Sequence, residues 1–151
     1  MTKRRGLIIA GLCALVAMAG SCTRSDVIVP SPTGPSTLSV TFDLAASAGV
    51  ILAGDLPPTT TVKATVRKNG VGVPDVAVYF TILSGPGEFL DYTDRVTVTT
   101  DSTGAASVVF VGPTKAEMSR DMTTVIQGWM QTSTPDFIYK TIEIRILRSA
   151  D

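Results

Sequence analysis

Hydrophobic residues alternate with polar ones through most of the chain beyond residue 58. Val62, Ala64 and Val66 take every second position, Asn69-Gly70 to Pro74-Asp75 interrupts, and Val76, Val78 and Phe80 resume the alternation. The same order recurs from Val96 to Phe110, where VTVTT enters Asp101-Ser102-Thr103-Gly104 and leaves through Ala106, Val108 and Phe110. A period of two buries one face of each strand, so both segments predict antiparallel sheets packed as a sandwich.

The remaining strands follow by the same rule. Leu38, Val40 and Phe42 begin the series, and Val50-Ile51-Leu52 is a short run before Gly54 and Pro57-Pro58. These are edge-type segments, and Thr59 to Lys68 is a long core strand. Val76 to Leu83 is the second long strand, stopped by Ser84-Gly85-Pro86-Gly87, and Phe89-Leu90 predicts a brief strand closing over the core. Asp101 to Gly104 suits a type I turn, with the aspartate bonding the backbone at the first position and glycine at the last. The strands on either side of it are expected to pair as a hairpin. Residues 112–121 form a polar loop, Thr123 to Gln131 resumes strand character, and Phe137 to Leu147 ends the series with Ile142, Ile144 and Ile146 inward and Glu143 and Arg145 outward. The fold expected is all-β, a sandwich of about seven to eight strands over residues 37–148.

The first 36 residues follow a different pattern. Lys3, Arg4 and Arg5 precede an uncharged run from Gly6 to Gly20, then small residues at Ala19, Gly20 and Ser21. Residues 1–21 have the build of a signal peptide, and the apolar run falls short of the ~20 residues of a spanning helix. Ala19-Gly20-Ser21-Cys22 resembles the lipobox of bacterial lipoproteins, with alanine where that family prefers leucine three residues before the cysteine. The resemblance implies cleavage before Cys22 and diacylglycerol on its thiol. It also implies outer-membrane sorting in a diderm bacterium, because Thr23 stands where aspartate signals inner-membrane retention. The other reading is a plain signal peptide that leaves a free thiol, a liability in an oxidising compartment. Residues 22–36, with Pro30, Pro32 and Pro35, read as an extended tether reaching up to roughly 40 Å from the lipid.

Composition narrows the function classes. The chain has 13 basic and 13 acidic residues, and removal of Lys3, Arg4 and Arg5 leaves a net charge of −3. With no basic run in that part, nucleic acid is an unsuitable partner. Histidine is absent, which removes the commonest general base and metal ligand. Glu88, Asp91, Asp94 and Asp101 lie near one another in sequence, but a calcium site needs six to eight converging oxygens, and turn caps are the better account of them and of Asp75. Lys63, Lys115 and Lys140 lack a serine at an activating spacing. A glycosidase pair of Glu88 with Glu117 or Glu143 would need a cleft that small sandwiches rarely offer. No catalytic residue, metal ligand or cofactor is therefore assigned, and an enzyme is not expected.

TTTVKATVRKNGVGVPDVAVYFTILSGPGEF, then VTTDSTGAASVVF, then TTVIQGW together resemble the bacterial immunoglobulin-like domain of the invasin and intimin type. The matching elements are the valine-threonine strand at Val62 to Val66, the Asn69 to Pro74 loop, the strand Val76 to Phe80 and the turn from Thr100 to Ala106. The resemblance implies an immunoglobulin-like sandwich used as a spacer or adhesive module on the cell surface, without catalytic activity. One domain, with neither barrel nor binding tip, implies no long stalk. The expected role is a lipid-anchored structural or protein-interaction module of the cell envelope, its envelope or extracellular protein partner unnamed. The alternative is a carbohydrate- or small-ligand-binding sandwich, for which Tyr79, Tyr92, Trp129 and Tyr139 are the candidate aromatics. Periodicity leaves the face of Trp129 undecided, and core packing is its expected place. Residues 112–121 are the loop expected to carry specificity.

Overall fold

A computed structural model describes residues 40–132 and 136–150; the expected signal peptide, Cys22, the tether and Leu38 lie outside these residues. The strands are β1 (Val40–Ala46), β2 (Val50–Ala53), β3 (Thr59–Lys68), β4 (Val71–Gly72), β5 (Ala77–Ser84), β6 (Glu88–Phe89), β7 (Arg95–Thr99), β8 (Ala105–Val111), β9 (Met122–Gln131) and β10 (Phe137–Arg148). One sheet runs β1-β3-β8-β6, with β4 also paired to β3, and the other runs β2-β10-β9-β5-β7. Facing each other across one core, the two form a β-sandwich. Alternation puts Thr60, Val62, Ala64 and Val66 of β3 inward, against Val78 and Phe80 of β5 from the opposite sheet. Phe42, Phe89, Phe110, Ile126, Ile144 and Ile146 are among the other large residues of the core. Phe89 closes over it as expected, but its neighbour Leu90 points to solvent at 64% exposure.

The predicted turn at Asp101 forms, yet its flanking strands do not make a hairpin. Gly104 donates its N–H to the Asp101 carbonyl at 2.9 Å and takes a positive φ of 77°, where glycine is favoured. β7 pairs with β5 in one sheet and β8 with β3 in the other, so this turn crosses between sheets. Thr100 is the reason. It is 3% exposed, and its hydroxyl donates to the Val73 carbonyl at 2.7 Å and accepts the Val76 N–H at 3.0 Å. These bonds tie the end of β7 to the connection between β4 and β5, which crosses between the same two sheets. The hairpin turn of this region is at Asn69-Gly70, both with positive φ, joining β3 to the two residues of β4.

One pair departs from the antiparallel rule. After β1 the chain bends through residues 47–49 into the other sheet, so β2 lies parallel to the end of β10. Thr60 secures the bend, accepting the Ala48 N–H at 3.0 Å and donating to the Ala48 carbonyl at 3.1 Å. Only the last four residues of β10 meet β2, so among the described residues its first half has no strand on that side. There Lys140 reaches over to Asp43 of β1 at 2.8 Å.

Candidate ligand-binding face

Trp129 is not in the core. Along β9, Thr124, Ile126, Gly128 and Met130 turn inward, leaving Val125, Gln127 and Trp129 on the outer face. The inward row has a glycine at 128, where Phe42 and Leu44 of β1 occupy the space a side chain would take. The indole is consequently half-buried by its outer-face neighbours and not by the core.

Those neighbours come from register. Trp129 stands opposite Tyr79 of β5 and Tyr139 of β10, and Tyr79 stands opposite Thr97 of β7. Tyr79 and Trp129 stack with centroids 4.0 Å apart and planes 11° from parallel. That separation is shorter than the ~4.8 Å between paired strands, so the rings lean together and stand upright on the sheet. Phe137, diagonal to Trp129, meets it at 5.5 Å and 80°, an edge-to-face contact. Phe137 and Tyr139 remain 57% and 64% exposed. Below the aromatic row, Thr81, Gln127 and Thr141 form a polar row at the next outward level.

The stacked pair divides this face into two recesses. Trp129, Phe137, Tyr139 and Gln127 bound one of about 280 Å³. The other, about 370 Å³, has the Tyr79–Trp129 pair on one side and Thr81, Arg95 and Thr97 on the other. Aromatic walls with a few amide, hydroxyl and guanidinium groups are the usual build of a binding site. Among the described residues that line them, none is a nucleophile with a base beside it.

The other sequence candidates fall elsewhere. Tyr92, on the connection between β6 and β7, is 83% exposed and outside the row. Asp101 is a turn cap, accepting the Thr103 hydroxyl at 2.6 Å and the N–H groups of Thr103 and Ala105. These bonds, the Thr103 hydroxyl first, hold its carboxyl below the usual aspartate value. Asp91 accepts the Thr93 hydroxyl at 2.8 Å, and Asp75, at a φ of 59°, is a turn residue. Glu88 and Glu117 border one recess of about 440 Å³ at the end of the sandwich, whereas Glu143 lies outward on β10. Glu117 is committed to the Thr114 N–H and hydroxyl at 2.7 and 2.8 Å, and these bonds lower its pKa, the wrong direction for a general acid. The loop 112–121 is tied down by this cap and by Met118, which is 4% exposed in the core. Between the β7 and β8 edges, an apolar cleft of about 470 Å³ exposes Val96, Val98 and Leu90.

No protein-family model matches the chain, and no curated protein matches it. Among solved structures, the D00-D0 domain of intimin is similar at 23% identity and a TM-score of 0.48, over 70% of this chain and 46% of that one. The matched region thus spans less than half of the intimin fragment. A PapD-like domain of human CEP192 is similar at 9% identity and a TM-score of 0.47, covering 72% of this chain and 86% of that one. A conjugate transposon protein from Bacteroides vulgatus is similar at 16% identity and a TM-score of 0.44, covering 71% and 84%.

Proposed function

We propose that this protein is a non-enzymatic carbohydrate-binding module of the cell envelope, held at a membrane through acyl chains on Cys22. It presents the outer face of the β2-β10-β9-β5-β7 sheet to its ligand. The observation that carries the reading is the position of Trp129, outside the core and flanked at one register level by Tyr79 and Tyr139. A filled core has no need of these rings, and Tyr139 and Phe137 spend most of their surface in water. Sugars present apolar C–H faces and a rim of hydroxyls, matching ring walls beside the Gln127 amide and the Thr81 and Thr141 hydroxyls. The lipobox-like segment and Thr23 support anchoring, at the outer membrane in a diderm host. Two or three acyl chains, each adding ~0.8 kcal/mol per buried CH₂, make such an anchor effectively permanent.

The protein-interaction role retains one specific support. Among the described strands β7 is an edge beside the apolar cleft, and a partner strand added there would cover Val96 and Val98. The two readings separate by titrating the full-length protein in detergent with a panel of neutral and acidic oligosaccharides while following emission from Trp129. Carbohydrate binding gives a saturable change that Tyr139→Ala abolishes. A folded protein unresponsive to every sugar in the panel overturns the reading in favour of a protein partner.

A further inference from the structure

Resting on the carbohydrate reading, the geometry points to an acidic glycan as the ligand, with a hexuronate carboxylate bound by Arg95 and the neighbouring sugar rings lying across the strands towards Tyr139. Among the described residues, Arg95 is the one ionisable side chain, apart from the tyrosine phenols, that borders either recess, and no carboxylate of theirs lines them. Although the chain without its basic leader carries net negative charge, the charge that borders the recesses is positive, with Glu143 and Arg145 of β10 further along the same face.

Arg95 is also unengaged. It projects outward from β7 opposite Thr81, is exposed, and its guanidinium makes no hydrogen bond or ion pair with any described residue. The planar fork is therefore free to take a carboxylate in two parallel hydrogen bonds, the geometry that distinguishes arginine from lysine. Thr97 and Thr81 stand beside it to meet adjacent hydroxyls.

The order of groups sets the direction of the ligand. From β7 to β10 the face presents Thr97 with Arg95 just below it, then Tyr79, Trp129 and Tyr139 on successive strands. Three strand spacings amount to roughly 14 Å, more than one sugar ring spans. An oligosaccharide would then pass over the upright edges of the stacked pair. Its acidic unit would sit in the Arg95 recess and a further ring in the slot between Trp129 and Tyr139.

The test uses full-length protein in detergent and oligomers of galacturonate, mannuronate and hyaluronan, each beside its carboxyl methyl ester, read by Trp129 emission. At least one free acid should bind more tightly than its ester by on the order of tenfold or more. Arg95→Gln should remove most of that difference, weakening the acid far more than the ester, and added salt should weaken the acid more than the ester. Equal binding of acids and esters by the wild type would overturn the acidic-glycan inference and leave the carbohydrate reading standing. Binding of neutral sugars alone would do the same. No binding of any sugar by protein whose Trp129 emission reports a folded domain would overturn both.

Discussion

Tyr79 and Trp129 lie face to face across paired strands, 4.0 Å between centroids, with the indole the only tryptophan in the chain. The pair therefore carries its own optical reporter. Tyr79→Ala should strip one face of the indole to water and red-shift its emission. A cross-strand aromatic pair contributes ~0.5–1.5 kcal/mol beyond its buried area, so the variant should remain folded with a small loss in urea melts. Unchanged emission would show that the indole has no stacked neighbour in solution.

Gly128 connects that outer face to the core behind it. A Cβ built there would approach Leu44 Cδ1 at 2.9 Å and Phe42 Cζ at 3.2 Å. The nearer atom is the end of a flexible side chain, so Gly128→Ala requires only a small shift of Leu44. Gly128→Val adds two methyl groups in the same space and should destabilise by ~1–3 kcal/mol through overpacking. Denaturant melts of the two variants should rank them alanine above valine. Equal stabilities would mean that β1 does not pack on β9 as described.

The same residues show what was legible in the sequence. Alternation alone fixed the inward residues of β3, β5 and β10, because each keeps a strongly apolar row on one side. In β9 the contrast fails. The inward row includes Thr124 and Gly128, the outward row Val125 and Trp129, so neither face stands out as apolar. Parity within β5 and β10 did mark Tyr79 and Tyr139 as outward, out of phase with Val78, Phe80, Ile144 and Ile146. What no single strand could reveal is that β5, β9 and β10 are adjacent and aligned so that the three rings share one level. The missed hairpin has the same origin. A tight turn looks alike whether it joins partners or crosses between sheets, and Thr100 decides the matter through bonds to residues 24 and 27 positions away.

Anchoring is tested apart from binding. Protein purified from membranes of its own host should have an intact mass matching cleavage before Cys22 plus acyl chains. Cys22→Ala should be released or left unprocessed, because it lacks the thiol that would carry the lipid. An unmodified chain in the soluble fraction would remove the anchor and leave the sandwich and its aromatic face unaffected.

Acid stability reports on the turn that carries the chain between the sheets. The hydrogen bonds from Thr103 and Ala105 lower the pKa of Asp101 in the folded protein, with the Thr103 hydroxyl as the largest contributor. A depressed folded pKa stabilises the native state above the unfolded value of ~3.9, and that contribution disappears as pH falls through the folded pKa. Asp43, lowered chiefly by its hydrogen bond to Lys140, and Glu117, lowered by Thr114, act with the same sign. The wild type should hold its melting temperature from neutral pH down to about pH 4 and lose it progressively below. Asp101→Asn keeps a side-chain oxygen for the turn but cannot titrate, so it should melt lower at pH 7 and show a shallower acid limb. The limb should flatten without vanishing, since Asp43 and Glu117 still bind protons. Parallel acid limbs for the two proteins would mean that the Asp101 carboxylate does not hold the turn in its charged form.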